Sequence, residues 1–432
     1  MTNSFTTTRR QFLKTSALAG GALVAPAILP GGANAAEDGP TLKIGLVGCG
    51  GRGTGAAGEA LAADKNVVLT ALADVFEEKV KPTLEALREH ARDKVRVEPD
   101  HCFVGLDAYQ KLIDSGVDVV LLAEPPGFRP EHLKAAVAAG KHIFCEKPVA
   151  TDAPGVRSVL ETVAKAKEKN LVLVSGLCWR YNLAERALFQ KILDGAIGAV
   201  RVVYATCYTS VVRAMPPASQ RPATMGDLEW QLRFWYNFGW LAGDSFVEQA
   251  VHAVDWMLWA LNDQPPQTAL AVGGRQIPSP GGNIFDHFEV NYEFAGGARG
   301  FIGSRQQSGC ADDYTATILG TKGDARELGF GGLPFILGEN KWRYQDPRPN
   351  MYQIEHNELF AAIRSGQPIN DGLRMANTTL AAIMGRMAAY TGQEITWDMA
   401  LNSQEKLVPE KLDWQTPIPV PSWAMPGKTK FV

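Results

Sequence analysis

A short glycine-rich loop near the start of the sequence limits the possible folds more than any other feature. The loop Gly48-Cys49-Gly50-Gly51-Arg52-Gly53 follows a strand-like run at 43–47 and precedes a small-residue, helix-like run at 54–63. In such a strand–loop–helix unit the first glycine permits a tight turn, the second admits a pyrophosphate to the backbone, and the third lets helix and strand pack closely. The pattern predicts a dinucleotide site that uses Gly48, Gly50, Gly51, Arg52 and Gly53.

Asp74 ends the next strand-like run, 67–73, at the position where dinucleotide folds place a carboxylate. A carboxylate there accepts from a ribose 2′-hydroxyl and repels a 2′-phosphate, so the sequence favours NAD over NADP. Arg52 inside the loop could contact a phosphate, which leaves NADP open. The alternative interpretation is a glycine turn without ligand, in which Asp74 only caps its strand.

The order of strand-like and helix-like segments predicts an α/β chain with two domains. Residues 36–175 alternate short β-branched runs with helical ones, which is typical of a Rossmann domain with a doubly wound parallel sheet. Residues 176–432 contain longer alternating strands and two helical stretches, which predicts an α+β domain with a mostly antiparallel, open-faced sheet. The net charge of −3 argues against nucleic acid as a partner.

The first 35 residues have the composition of an export signal. A twin-arginine pattern, Arg9-Arg10-Gln11-Phe12-Leu13-Lys14, precedes an uncharged run and the small-residue site Ala33-Asn34-Ala35. The pattern predicts a Tat signal over residues 1–35, export to the periplasm, and no stable membrane span after cleavage. An uncleaved membrane anchor is the alternative, although the apolar run is short for a span of about 20 residues.

The six cysteines are scattered, without a C-x-x-C pair or a His/Cys spacing typical of a metal site. No metal site is predicted. Cys49, Cys145 and Cys178 lie in or beside apolar runs, so we expect buried free thiols rather than disulfides.

Three further motifs lie at fixed positions relative to the glycine loop. They are Cys145-Glu146-Lys147-Pro148 after a strand, the segment from Pro125-Pro126 to His132, and the run Glu248-Gln249-Ala250-Val251-His252-Ala253-Val254-Asp255. Together with the loop, they resemble the glucose-fructose oxidoreductase / inositol dehydrogenase (Gfo/Idh/MocA) family over essentially all of residues 36–432. The resemblance implies a nicotinamide-dependent oxidoreductase in which Pro125, His132, Glu146 and Lys147 lie beside the cofactor.

The same resemblance implies that Lys147 hydrogen-bonds the reacting hydroxyl and that His252 acts as acid/base. The chemistry needs such a pair, because a hydroxyl that loses hydride must also pass its proton to a group with a pKa near neutrality. A helix over 245–261 would place Glu248, His252 and Asp255 on one face as catalytic candidates. A buried polar network that anchors the helix is the alternative, chiefly for Asp255.

The chain departs from the family pattern at two positions. Glu248 stands where many relatives carry an aspartate, and Glu124 stands where a Thr or Ser often precedes the first proline of the Pro125 segment. Both substitutions put carboxylates near the reacting centre, which leaves the substrate and the proton route open.

Substrate-side candidates follow the last strand of the first domain and precede the predicted catalytic helix. Arg180 and Tyr181 are expected to enter the cleft, and Trp235 offers a ring on which a sugar can stack. A core position is the alternative for Trp235 and for Trp240.

Three functions follow from these features. The first is hydride transfer between a sugar or polyol hydroxyl and tightly bound NAD(P), by a protein that the resemblance implies is a homo-oligomer. The second uses the same site for glycoside cleavage, through transient oxidation and elimination, with Glu248 as an additional base. The third is a non-catalytic nucleotide-binding protein.

Overall fold

The computed structural model describes residues 39–432, so the predicted signal over residues 1–35 lies outside the described residues. The first part of this range alternates strands with helices. Its elements are β1 (Leu42–Val47), α1 (Gly51–Ala63), β2 (Val67–Asp74), α2 (Glu77–Ala91), β3 (Cys102–Val104), α3 (Ala108–Asp114), β4 (Val119–Leu122), α4 (Arg129–Ala138), β5 (His142–Cys145), α5 (Ala153–Glu168) and β6 (Leu173–Ser175).

The six strands form one parallel sheet in the order β3-β2-β1-β4-β5-β6. The chain builds outward from β1 to β3 and then returns to β4 on the other side of β1, so the connections diverge between β1 and β4. In open α/β sheets this divergence leaves a crevice at the carboxyl ends of the strands. The predicted Rossmann sheet is confirmed, and the crevice lies where the glycine loop leaves β1.

The second part builds a larger sheet. Its elements are α6 (Leu183–Leu193), β7 (Val200–Thr209), α7 (Asp227–Arg233), α8 (Gly239–Ala242), a π-helical segment (Phe246–Ala250), α9 (Val251–Ala260), β8 (Thr268–Gly274), β9 (His287–Glu293), β10 (Arg299–Gln306), β11 (Ala316–Gly320), β12 (Gly323–Glu327), β13 (Phe335–Gly338), β14 (Trp342–Arg343), α10 (Met351–Ser365), α11 (Gly372–Thr391), β15 (Ile395–Thr396) and α12 (Trp397–Asn402).

The second sheet has nine strands in the order β14-β13-β12-β11-β7-β10-β9-β8-β15. All neighbours are antiparallel except β7 and β10. The helices α9 and α11 pack on one face. The predicted mostly antiparallel sheet is therefore confirmed, although the short strands β12, β13 and β14 did not stand out in the sequence.

Helix α10 belongs to the second part of the chain but packs on the first sheet. Its Leu359 and Phe360 are fully buried in the same apolar cluster as Ile44 of β1, Leu121 of β4 and Phe144 of β5. The predicted boundary between residues 175 and 176 therefore separates two regions of the sequence but not two independent cores. The core of the nucleotide sheet includes a helix from the second region.

Two smaller observations bear on the sequence analysis. Cys49, Cys145 and Cys178 are buried free thiols, as predicted. No helix within residues 39–432 has the length and apolar character that a membrane crossing requires.

We predict that truncation of Phe360 destabilises the nucleotide sheet. The side chain is 1% exposed, so Phe360→Ala should cost about 3–5 kcal/mol of unfolding free energy through the lost apolar contacts and the cavity left behind. Chemical denaturation measures the change. Leu373→Ala, at a side chain 59% exposed on α11, is the control and should leave the midpoint nearly unchanged. Equal midpoints for the two variants would contradict the packing role of α10.

Candidate active site

A cleft of about 720 Å³ opens at the carboxyl ends of β1, β2, β4 and β5. The glycine loop and the start of α1 form one wall, and the π-helical segment with the start of α9 forms the opposite wall. Most of the predicted cofactor and catalytic residues line this cleft. They are Gly48, Gly50, Gly51, Arg52, Gly53, Asp74, Pro125, His132, Glu146, Lys147, Trp235, Glu248 and His252.

The glycines of the loop have different physical roles. Gly48 has φ +94°, in the region that favours glycine, and a Cβ atom at Gly53 would lie 1.9 Å from the carbonyl oxygen of Gly48. By contrast, Cβ atoms at Gly50 and Gly51 would meet no atom within 4 Å. The open space before Gly50 and Gly51, at the N-terminus of α1, fits the pyrophosphate of a dinucleotide.

Asp74 is placed at the loop by backbone hydrogen bonds. Its Oδ2 accepts from the N–H of Cys49 at 2.8 Å, and its Oδ1 accepts from the N–H of Phe76 at 3.0 Å. Burial raises the pKa of this carboxyl, while the backbone donors oppose that shift. Each oxygen keeps a free lone pair, so Asp74 can still accept from a ribose hydroxyl.

Arg52 has a structural role that the sequence did not predict. Its guanidinium contacts three carboxylates, with Glu59 at 2.9 Å, Glu355 at 2.8 Å and Glu146 closer still. It also stacks on the ring of Tyr352 at 4.7 Å. Burial alone would lower the pKa of Arg52, but the carboxylates more than offset this effect and raise it. Three of its five N–H donors thus hold the loop, and because Arg52 also lines the cleft, its contact with a phosphate stays a prediction.

Glu146 of the Glu146-Lys147-Pro148 motif is part of the same arrangement. Its Oε1 accepts from Arg52, and its Oε2 accepts from the backbone N–H of Lys147 at 3.2 Å. Glu146 is 5% exposed. The residue predicted as a cofactor ligand therefore joins the glycine loop to the lysine, and this contact fixes the start of the Lys147 segment.

Lys147 and Glu248 meet across the floor of the cleft. The ammonium of Lys147 donates to the backbone carbonyl of Glu248 at 2.7 Å and to its Oε1 at 3.2 Å. The other carboxylate oxygen of Glu248 accepts from Gln249 Nε2 at 2.5 Å. Both oxygens of Glu248 are engaged, so Glu248 fixes the position of the Lys147 ammonium.

His252 lies one helical turn beyond Glu248 and faces the same cleft. Its Nδ1 atom is buried and has no hydrogen-bond partner within residues 39–432. Burial, and then the positive charge of Lys147, lower the pKa of His252 well below its ordinary value. The imidazole is therefore neutral at neutral pH and can accept a proton.

The carboxylate of Glu124, one of the two departures from the family pattern, faces His132. Its Oε1 lies 3.0 Å from His132 Nδ1, and the His132 ring stacks on Tyr109 with the ring centroids 3.8 Å apart. Arg129 donates to the backbone carbonyls of Glu124 and Pro148. Glu124 thus orients His132, while Arg129 ties the Pro125 loop to the Lys147 loop.

Arg180, Tyr181 and Asp255 lie away from the cleft, in contrast to the prediction. Arg180 is 5% exposed and donates to both carboxylate oxygens of Asp255, at 2.8 and 2.9 Å. Tyr181 donates to Asp371 at 2.5 Å. These side chains form the buried network that was the alternative for Asp255, and none of the three lines the cleft.

The helix that carries these residues is less regular than predicted. The prediction assumed one regular helix over 245–261, whereas Phe246–Ala250 is π-helical and only Val251–Ala260 is α-helical. A π turn adds a residue to the turn, so Glu248 is rotated relative to His252 and Asp255. His252 and Asp255 lie three residues apart in the regular part, where His252 lines the cleft and Asp255 contacts Arg180.

Several cleft residues were not singled out in the sequence. They are Phe76, Lys79, Tyr109, Arg129, Arg213, Arg233, Phe234, Gln249 and Tyr352. Most come from loops or from helices distant in sequence, whereas Arg129 and Gln249 lie within recognised motifs and Phe234 precedes Trp235. Trp240 is 6% exposed and donates to Gln231, so it has the core position that was its alternative.

Comparison with known proteins identifies the family of this chain. Residues 42–176 match the family model described as "Oxidoreductase family, NAD-binding Rossmann fold", and residues 186–326 match the "GFO/IDH/MocA C-terminal domain". The chain belongs to the Gfo/Idh/MocA oxidoreductase family. Both parts of this Gfo/Idh/MocA protein are matched, on either side of the predicted domain boundary.

Curated relatives are dehydrogenases of low sequence identity. The chain is 24% identical to inositol 2-dehydrogenase of Rhizobium meliloti over 358 residues, which cover 79% of this chain and 96% of that protein. It is 27% identical to trans-1,2-dihydrobenzene-1,2-diol dehydrogenase of Oryctolagus cuniculus, over 56% of this chain and 65% of that protein.

Solved structures share the fold. A levoglucosan dehydrogenase in complex with NADH and levoglucosan superposes with a TM-score of 0.66 at 20% identity, over 82% of this chain and 99% of that chain. An aldose-aldose oxidoreductase from Caulobacter crescentus, in complex with glycerol, gives a TM-score of 0.65 at 20% identity, with the same coverage. At this identity the superpositions establish the fold alone.

We predict that two glycine substitutions separate loop packing from nucleotide binding. Gly53→Ala forces a Cβ onto the Gly48 carbonyl and should cost about 1–3 kcal/mol of stability. Gly50→Ala enters open space at φ −86°, so it should preserve stability but weaken NAD binding roughly tenfold or more. Thermal unfolding and NAD titration measure the two effects. A destabilised Gly50→Ala protein would contradict this division of roles.

Proposed function

We propose that this protein is an NAD-dependent oxidoreductase that transfers hydride between the cofactor and a CH–OH group of a sugar or polyol. One observation carries the proposal: the Lys147 ammonium and the neutral His252 imidazole line the same cleft as the open glycine loop. Hydride transfer from an alcohol requires a hydroxyl-orienting donor and a proton acceptor beside a dinucleotide.

Each residue has a defined part in this reaction. NAD supplies the nicotinamide that accepts hydride. Gly50 and Gly51 leave room for its pyrophosphate, and Asp74 accepts from the ribose. Lys147, held by Glu248, donates a hydrogen bond to the reacting hydroxyl oxygen, and His252 takes the hydroxyl proton. The positive charge of Lys147 stabilises the alkoxide character that develops as the proton leaves.

The substrate class rests on the relatives and on the cleft walls. Of the similar proteins named above, one is an inositol dehydrogenase and two were solved with levoglucosan or glycerol, and all three molecules carry several hydroxyl groups. In this chain Phe234 and Trp235 line the cleft beside Arg213. Aromatic faces next to hydrogen-bond donors suit the apolar C–H surface and the hydroxyl rim of a carbohydrate.

Glycoside cleavage through elimination receives less support from the geometry. That reaction needs a second base that takes up a proton, whereas a proton on Glu248 would weaken the ion pair that holds Lys147. The same engagement supports a positioning role for Glu248 in the simple oxidation. Net oxidation is therefore the function that we propose.

We further propose that the protein is exported through the Tat route with its cofactor already bound, and that it functions as a homo-oligomer. The twin-arginine pattern at Arg9-Arg10 supports export of a folded protein. The face of the second sheet opposite α9 and α11 supports self-association, because it exposes Tyr204, Leu270 and Val272 by 43%, 47% and 68%.

The decisive experiment combines nucleotide release with a saccharide panel. The purified protein is denatured, released nucleotide is identified by mass spectrometry, and the native protein is incubated with sugars and polyols. We expect NAD or NADH and oxidised products that retain their glycosidic bonds. Cleaved glycosides would favour the elimination reaction, and bound nucleotide without turnover on any substrate would favour a non-catalytic protein.

His252→Asn should lower the hydride-transfer rate about 10²–10⁴-fold, because the proton acceptor is lost. NAD affinity should remain near that of the unmodified protein, since His252 faces the reacting end of the cleft. Stopped-flow measurement of NADH formation tests the rate. His287→Asn, at a half-buried histidine on β9 that does not line the cleft, should leave the rate unchanged. Equal rates for the two variants would refute the assignment.

The pH dependence follows from the lowered pKa of His252. Because the neutral imidazole is the proton acceptor, alcohol oxidation needs His252 deprotonated, and it remains so down to a pH well below its ordinary pKa of 6.5. We therefore expect kcat/KM for oxidation to stay level from about pH 8 through 6.5 and to fall only at more acidic pH. A decline centred at or above 6.5 would contradict the assigned state of His252.

A further inference from the structure

A second cluster of ionisable groups lies behind the glycine loop, outside the cleft chemistry. It comprises Glu59 of α1 with Glu355 and His356 of α10, and we call it the α1–α10 cluster. The side chains of Glu355 and His356 are 0% exposed, and that of Glu59 is 18% exposed. The cluster therefore lies at the contact between the nucleotide-binding helix and the helix that returns from the second region.

Three atoms of the α1–α10 cluster are buried without a hydrogen-bond partner in the described range 39–432. They are Glu355 Oε2, His356 Nδ1 and His356 Nε2. A fully buried imidazole with neither nitrogen engaged is costly, because burial of an unpaired polar group carries a free-energy penalty. The His356 ring packs against Phe144 with the centroids 4.3 Å apart, and this contact gives neither nitrogen a hydrogen-bond partner.

The charges around the cluster do not balance. The Arg52 guanidinium bonds to three carboxylates, those of Glu59, Glu146 and Glu355. One guanidinium faces three carboxyl groups in a largely buried region, so either protons or a further cation must balance the remaining charge. Buried charges are normally paired or bound to a cation, so a divalent ion would balance the group even with Arg52 in place.

The distances suit an ion with nitrogen and oxygen ligands. His356 Nε2 lies 3.8 Å from Glu59 Oε2, and the candidate ligand atoms of all three residues lie within 4.8 Å of one another. Zinc bonds to His nitrogen and carboxylate oxygen are each about 2.0–2.2 Å, so two ligand atoms of one tetrahedral ion lie roughly 3.4 Å apart. An ion can enter after a side-chain shift on the order of 1 Å.

We propose that Glu59, Glu355 and His356 form a site for one divalent zinc-class cation. An imidazole with two carboxylates favours zinc over Mg²⁺ or Ca²⁺, which prefer all-oxygen shells. The partial exposure of Glu59 provides the route of entry and a position for water. The ion fastens α1 to α10 and has no part in hydride transfer, so this proposal is independent of the proposed function.

The test uses the full chain, stripped with a chelator and then titrated with Zn²⁺. Elemental mass spectrometry after dialysis should find one zinc per chain. At a hundredfold excess over Kd, added Zn²⁺ should raise the Tm by about 3 °C. A stripped protein that binds no Zn²⁺ and shows no shift in Tm would overturn the proposal, because the excess charge would then be carried by a proton on a cluster carboxyl.

Two variants locate the ion, and one serves as the control. His356→Leu fills a similar volume without ligand atoms, and Glu59→Gln keeps the shape of the side chain but removes its charge. Each should weaken Zn²⁺ binding by more than roughly 100-fold. Glu358→Gln, on the same helix but paired with Arg186, should bind Zn²⁺ as tightly as the unmodified protein. If His356→Leu fails to fold, the Glu59→Gln variant provides the test. An unchanged Zn²⁺ affinity of Glu59→Gln would overturn the assignment of the zinc site.

Discussion

Three carboxylates from separate segments of the chain meet at the guanidinium of Arg52. Glu59 comes from the nucleotide-binding helix, Glu146 precedes the lysine of the cleft, and Glu355 lies on α10. The arginine therefore ties the glycine loop to the Lys147 segment and to the second region of the chain. Because Lys147 in turn contacts Glu248, a continuous series of polar contacts runs from the nucleotide loop to the π-helical segment on the opposite wall of the cleft.

The features that the sequence predicted well depend on local backbone geometry. Gly48 is required by its positive φ and Gly53 by its contact with the Gly48 carbonyl, both within one strand–loop–helix unit, so their spacing alone indicates the dinucleotide loop. Lys147 and His252 were located through motifs next to predicted elements, and the structure places both in the cleft. The parallel and the mostly antiparallel sheet were predicted from the contrast between short apolar strands and longer alternating ones.

The errors have a different physical origin. Arg180 was expected in the cleft, but Asp255, a carboxylate distant in sequence, engages it inside the protein. The carboxylates that hold Arg52 were likewise not predicted, although Arg52 does line the cleft. A single sequence does not reveal which acidic residue meets which arginine. The same limit applies to Glu59 and His356, because nothing in their local patterns resembles a ligand motif. The π-helical turn at Phe246–Ala250 likewise has no signal in the hydrophobic spacing.

The return of α10 to the first sheet has a consequence for biosynthesis. The strands from β1 to β6 are complete once Ser175 has left the ribosome, but Leu359 and Phe360, which complete their apolar cluster, are translated much later. Domains usually fold as units in the order of their synthesis. In this chain, however, one apolar face of the nucleotide sheet must wait, partly uncovered, until α10 has been made.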